Sequence, residues 1–276
     1  MKTSTQLKAL LRNISKKSNV ESEVLLRNFM LERFLERIAL SDYKQNFILK
    51  GGMLITSMVG INTRSTMDID TTIKGQTLGE AEITAIIENI IRTPIDDGVE
   101  LSFRGIDEIR EEADYPGYRV SIEAVLDKTR QTLKIDISTG DFVMPKEIEY
   151  RFKLMLEDRT ISIMAYNVET ILAEKFETIV TRGVANTRMR DFYDIYILTT
   201  TQKFDEDIFK AALNKTTENR GTAGQMTKSA ETVLMISENA VMIDLWQRYR
   251  KKYPYATDIS WEMAIDAIKE LMEKLS

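Results

Sequence analysis

A change of period at Asn167 is what most narrows the folds open to this chain. Before it, short apolar runs alternate at two-residue spacing between a few helical stretches. From Asn167 onward the apolar spacing is about 3.6 and stays there. A chain that first alternates and then winds is neither one helical bundle nor one sandwich. It predicts an α+β architecture. The expected organisation is an N-terminal mixed α/β domain over 1–150 and a helical domain over 151–276, joined near Met144–Asn167.

Within the first part, Val24, Leu25, Phe29, Met30, Phe34, Leu35 and Ile38 recur at three- and four-residue steps, predicting an amphipathic helix over Glu21–Leu40. Phe47–Leu49 reads as a short strand, and Gly51–Gly60 as a turn plus a short helix. Thr66–Ile73 alternates, with Met67, Ile69 and Ile73 on one face and Asp68 and Asp70 on the other. Thr77, with Glu80 three residues on, has capping-box spacing and opens a helix that Pro94 ends. Strands follow at Val99–Ile106, Tyr118–Leu126 and Gln131–Ser138, the last two joined by a hairpin-like Asp127–Arg130. The later helices are expected at Val168–Arg182, Arg188–Leu198, Asp205–Leu213, Met226–Ser237, Ala240–Arg250 and Ile259–Leu275.

Composition removes whole classes of chemistry. The chain has no Cys and no His. Disulfides, thiol nucleophiles, Ser-His-Asp catalysis and His- or Cys-ligated zinc are excluded together. A metal would be held by oxygen, which points to Mg²⁺ or Mn²⁺. The formal net charge of −5 means that any nucleic-acid contact must come from a local basic face. The N-terminal charges are too closely spaced for a signal-peptide core, and no apolar run is long enough to span a bilayer, so a soluble cytoplasmic protein with no membrane contact is expected.

Asp68 and Asp70 then stand out. Side by side on one strand face, two like charges are costly unless a cation shares them. Asp136, mid-strand in Leu133–Ile137, reads alone as a solvated sheet-face residue; with the pair it makes an oxygen cage suited to two divalent ions. Gly51-Gly52 places a flexible turn and a helix N-terminus just upstream, where backbone N–H groups favour phosphate.

The run L-K-G-G from Leu49, followed by Arg64-Ser-Thr66-x-Asp68-Ile-Asp70, resembles the first motif of the AbiEii/AbiGii-type toxin nucleotidyltransferases of the DNA polymerase β-like superfamily. Ile171–Leu198, with Lys175 on a helix and then Arg190-Asp191-x-x-Asp194, resembles that family's second block, and Asp136 falls between the two blocks where the third carboxylate belongs. The resemblance implies metal ligation by Asp68, Asp70 and Asp136, catalysis by these with Lys175 and Asp191, and nucleotide contacts by Gly51, Gly52, Arg64, Thr66 and Lys175. It also implies an NTP substrate (GTP among the four), an RNA acceptor such as the tRNA 3′ end, and an antitoxin encoded elsewhere. The superfamily usually has Gly-Ser where this chain has Gly51-Gly52, so backbone amides, or Thr56 a turn later, replace that hydroxyl.

On physics alone, Lys175 and Arg182 share a helix face, and the turn after them returns Arg188, Arg190, Asp191 and Asp194 toward it, which also describes an interhelical salt-bridge cluster. Lys134 shares the strand face of Asp136. The most basic tract elsewhere, Leu245–Tyr255, interleaves Arg248, Arg250, Lys251 and Lys252 with Trp246, Tyr249, Tyr253 and Tyr255, a pairing that suits single-stranded nucleic acid. The function expected is a toxin that transfers NMP to RNA and blocks growth in a toxin–antitoxin or phage abortive-infection system. A nucleotide-binding regulator without turnover and a metal-dependent nuclease are the rival readings.

Overall fold

The computed structural model describes residues 3–18, 20–74, 78–109, 117–139 and 146–275. These fall into two compact units, one of residues 1–143 with 147–166 and one of 144–146 with 167–276.

The first unit is α+β. Among its described residues it contains, in chain order, α1 (Ser4–Ser18), α2 (Ser22–Leu40), β1 (Phe47–Lys50), α3 (Gly51–Val59), β2 (Ile69–Ile73), α4 (Glu80–Ile91), β3 (Glu100–Ile109), β4 (Gly117–Leu126), β5 (Thr129–Thr139), β6 (Ile148–Lys153) and β7 (Thr160–Ala165). The seven strands form one sheet in the order β3-β4-β5-β2-β1-β7-β6. It is mixed: β2 runs parallel to β5 and β1 parallel to β7, while the remaining pairs are antiparallel.

Alternation along the central strands separates the two faces. Leu133, Ile135 and Ile137 of β5 and Val120, Ile122 and Ala124 of β4 are fully buried, on the side where α2 meets β5 and α4 meets β3. Lys134 and Asp136 point the other way, toward the open face. Two-residue periodicity therefore fixes which face is core and which is left for chemistry.

Several expected elements shift in instructive ways. The glycine pair is not a turn before a helix; it is the first two residues of α3. Strand β2 begins at Ile69, so Asp68 sits in a bend ahead of the strand and Met67 is exposed rather than core. The expected Thr77 cap lies outside the described residues; α4 starts at Glu80, where Glu82 accepts the Gly79 N–H at 3.0 Å. The β4–β5 hairpin turns on Asp127, whose φ is 53°, with Leu126 paired to Thr129. Strands β6 and β7 had no counterpart in the periodicity reading, and they carry the sheet past residue 150 to Ala165. Strand β6 buries only Phe152. It is an edge strand with charged Glu149, Arg151 and Lys153, the composition that keeps an edge from pairing further.

The second unit is helical among its described residues: α5 (Val168–Arg182), α6 (Met189–Thr201), α7 (Glu206–Asn219), α8 (Ala223–Met226), α9 (Ser229–Glu238), α10 (Ala240–Lys252) and α11 (Trp261–Glu273). Asn167, Asp205, Asn239 and Ser260 cap α5, α7, α10 and α11 through side-chain oxygens, satisfying backbone N–H groups that helix starts leave open. Phe192, Ile195 and Leu198 of α6 are fully buried, as their spacing predicts. Among the described residues of both units, no helix is long and apolar enough to cross a membrane.

Candidate functional site

Sheet register brings the first-motif residues together. Lys50 stands opposite Asp70 across β1 and β2, and Asp70 stands beside Asp136 across β2 and β5. All three therefore project from the open face. The start of α3 lies over the same place, and the Gly52 N–H donates to Asp70 Oδ2 at 3.1 Å. A helix N-terminus is a natural partner for a carboxylate.

The close approach explains the glycine pair. Gly51 has φ +64°, and a Cβ there would lie 2.1 Å from Asp70 Oδ2; a Cβ on Gly52 would lie 2.6 Å from Thr66 Oγ1. Neither position accepts a side chain without moving the acid site. In this arrangement one glycine amide serves the protein's own carboxylate.

Arg64 and Thr66 likewise act on the protein itself. Arg64 is buried and its Nη1 donates to the Ser65 carbonyl, while Thr66 Oγ1 donates to Asp68 Oδ1 at 2.8 Å. Thr66 thus sets the rotamer of Asp68. Thr56 is buried and bonds back to the Gly52 carbonyl at 2.9 Å, its hydroxyl engaged in the first turns of α3.

The electrostatics are those of crowded acids. Burial, and after it the Asp68 charge, pushes the Asp70 carboxyl up from the ordinary 3.8 to about 6; the Gly52 N–H and the Lys50 charge pull the other way without prevailing. Lys50 itself donates from Nζ to Ser138 Oγ at 2.7 Å. Asp136 has a different partner, which periodicity did not single out. Arg119 of β4, its cross-strand neighbour, grips it with both ends of the guanidinium, Nε to Oδ1 at 2.7 Å and Nη2 to Oδ2 at 2.6 Å. That hydrogen bonding, together with the charges of Asp136, Asp68 and Asp70, holds Arg119 more firmly protonated than usual.

The residue types fit a hard divalent cation: the donors are all carboxylate oxygens, and Asp70 carries a repulsion that a cation would relieve. As the side chains stand, no group of three acids among the described residues is arranged to hold a metal ion. Each Asp136 oxygen accepts one hydrogen bond from Arg119, so a cation approaching that carboxylate meets a guanidinium already in place.

In the second unit, Lys175 of α5 sits between two acids of α6, with Nζ 2.7 Å from Asp191 Oδ1 and 2.8 Å from Asp194 Oδ2. Arg188 Nε lies 2.8 Å from Asp191 Oδ2. Burial would push the Lys175 ammonium down, but the charges of Asp191 and Asp194 outweigh it and hold the lysine above its ordinary value. The one-face reading of Lys175, Asp191 and Asp194 is what the helices show. In the basic tract, Trp246 and Tyr249 are buried in an aromatic cluster. Arg248 pairs with Asp244, and Arg250 donates to the Thr257 carbonyl. Tyr253 is half-buried between cations, with the Arg190 guanidinium and the Lys252 ammonium each 5.4 Å from its ring centroid.

A family model for the nucleotidyl transferase AbiEii toxin of type IV toxin–antitoxin systems matches residues 33–270. The chain belongs to this AbiEii family. The match spans the first-motif carboxylates and the Lys175 block alike. Among solved structures, JHP933 from Helicobacter pylori aligns at 14% identity and TM-score 0.51, covering 93% of each chain. A candidate nucleotidyltransferase from H. pylori aligns at 15% identity and TM-score 0.50, covering 93% of this chain and 96% of its own. At such identity these likenesses establish the fold. Among curated proteins, no relative matches the sequence. Membership of the AbiEii toxins makes nucleotidyl transfer the activity, an NTP the donor and an antitoxin the counterpart.

Proposed function

We propose that this AbiEii toxin transfers NMP from an NTP to the 3′ end of an RNA, the tRNA acceptor end being the substrate the family resemblance implies, and that it depends on a divalent cation. The observation that carries this reading is the placement of Asp70 beside Asp136 in the sheet, with the Gly52 N–H at the start of α3 on Asp70 and the Asp68 charge opposing its ionisation.

Asp68 and Asp70 are assigned as the residues that hold Mg²⁺ or Mn²⁺, with Asp136 completing the set. When bound, such a cation lowers the pKa of the attacking 3′-hydroxyl and neutralises the triphosphate. Thr66 keeps Asp68 in one rotamer, and the Gly52 N–H keeps Asp70 in place. A carboxylate oxygen of Asp136 takes the proton of the 3′-hydroxyl. The 3′-oxygen, its proton gone to Asp136, bonds to the α-phosphorus while the α–β bridging oxygen leaves with pyrophosphate. Within the second unit we assign Lys175 to phosphate, with Asp191 and Asp194 keeping it charged.

Incubation of the protein with each α-labelled NTP, Mg²⁺ and total RNA tests the reading. RNA that gains label supports transfer, and the labelled band names the acceptor. RNA that shortens without label identifies a nuclease; bound nucleotide without either change identifies a regulator. Equal labelling by Asp70→Asn protein would show that the assigned carboxylates are not the site.

A further inference from the structure

Two arginines in the first unit make the same bidentate contact in different settings. Arg37 grips Asp97 at 2.9 and 3.2 Å, both side chains are 4–5% exposed, and Arg37 also holds the Val99 carbonyl at 2.8 Å. That pair is sealed into the core, where losing one partner leaves a buried charge uncompensated. Arg119 grips Asp136 at least as closely, but it is 37% exposed and its carboxylate 13%. Because its guanidinium already reaches water, this pair opens at lower cost than the sealed one, where each charge would be left in the core. Its acid is the third carboxylate of the candidate site.

The setting supplies reasons for Arg119 to leave and places for it to go. It stands on the open face of the sheet, opposite Asp136 on one flank and exposed Asp107 on the other. It feels the charges of Asp68 and Asp70 as well as its partner's. A cation arriving at those acids opposes the guanidinium electrostatically, whereas a triphosphate attracts it with planar, bidentate acceptors.

We infer that Arg119 is a positioning residue that withholds Asp136 until an NTP triphosphate draws the guanidinium away, completing the carboxylate set only when nucleotide is present. This rests on the metal-dependent transfer proposed above. Arg119 acts as an internal competitor for Asp136 in the free protein and as a phosphate contact in the nucleotide complex. A toxin so built takes up its cation efficiently only together with its substrate.

The test titrates Mn²⁺ alone, followed by loss of its free-ion EPR signal, into wild type, Arg119→Gln, Arg119→Lys and Asp70→Asn. Arg119→Gln removes the competing charge and should bind Mn²⁺ about tenfold more tightly than wild type, the scale of one charge-assisted contact. Arg119→Lys, which keeps the charge but loses the fork, should fall between them. With NTP present the order reverses: Arg119→Gln should show a KM for NTP raised about tenfold or more. A merely structural cross-strand pair would lower the melting temperature of Arg119→Gln and leave its Mn²⁺ affinity unchanged. Equal Mn²⁺ affinity in wild type and Arg119→Gln, with binding lost in Asp70→Asn, overturns the inference and spares the metal site. No Asp70-dependent binding in either protein overturns both.

Discussion

Asp70→Asn offers a direct measure of the crowding at the acid site. Raising a carboxyl from 3.8 to about 6 corresponds to about 3 kcal/mol of disfavoured ionisation in the folded state. Asp70 is half-buried and keeps some solvent contact, so screening reduces this, and about 1–2 kcal/mol is expected. Asparagine keeps an oxygen to accept the Gly52 N–H and loses the charge. The variant should therefore be more stable than wild type in EDTA at pH 7.5, with a melting temperature roughly 3–6 °C higher for a unit of this size. The sign against pH follows from linkage. Because the folded pKa is raised, the contribution of Asp70 is most favourable at low pH and is lost as pH rises through about 6. The advantage of Asp70→Asn should thus be full above pH 6.5, shrink as pH falls through 6, and vanish below about 4. Thermal unfolding of both proteins at pH 7.5, 5.5 and 3.5 in EDTA checks this, and a parallel series with Mg²⁺ should raise wild type alone. A variant less stable than wild type in EDTA at neutral pH, or a difference that does not change with pH, would refute the electrostatic reasoning.

Gly51→Ala should displace Asp70, because its Cβ would lie 2.1 Å from the carboxylate oxygen at a positive φ; urea unfolding should show a loss of about 1–3 kcal/mol, with transfer activity lost as well. Lys175→Met should remove the cation that Asp191 and Asp194 share, leaving Arg188 on Asp191, and cost about 3 kcal/mol, while Lys175→Met/Asp194→Asn should regain part of that stability but not transfer. Lys134→Met, on an exposed strand position, should change neither melting temperature nor NTP affinity, as calorimetry can check. Neutralising Lys251 and Lys252 to glutamine leaves the Arg250 contact with Thr257 intact, and should flatten the slope of log affinity for RNA against log salt by about 1.4 in filter binding, the amount expected for two phosphate contacts to a single strand.

Local information carried much of the fold. The helix α2 and the helices α5, α6, α7, α9, α10 and α11 declare themselves by spacing, since each buries one stripe of its own residues, whereas α1 and the four-residue α8, which buries none, were not read. The hairpin of β4 and β5 was equally legible. It also held an unread consequence: counting outward from the Leu126–Thr129 pair sets Arg119 opposite Asp136. Arg119 is thus the site residue that sequence reasoning missed although a usable signal was there. Strand β7 alternates Ile161, Ile163 and Ala165 inward and was legible but unread, while β6 was hidden for a different reason. A short edge strand that buries one aromatic ring leaves too little alternation to see, and only its neighbour in the sheet makes it a strand.

The sequence by itself determined which residue types were available for chemistry: carboxylates, lysines and arginines, with no imidazole or thiol. It also placed Asp68 and Asp70 two residues apart behind a glycine pair. What each of those residues does was decided by tertiary structure. The glycines exist for steric room, because α3 begins against Asp70 and Thr66, and that approach depends on a pairing of β1 with β2 that no local pattern encodes. Arg64 and Thr66 face inward because the segment before β2 bends, so their polar groups meet the chain itself. Asp136 was legible as an acid on a strand, but its partner came from register across two strands. Periodicity reports which side of an element meets water; distances between elements arise only when the sheet closes, and charges interact through those distances.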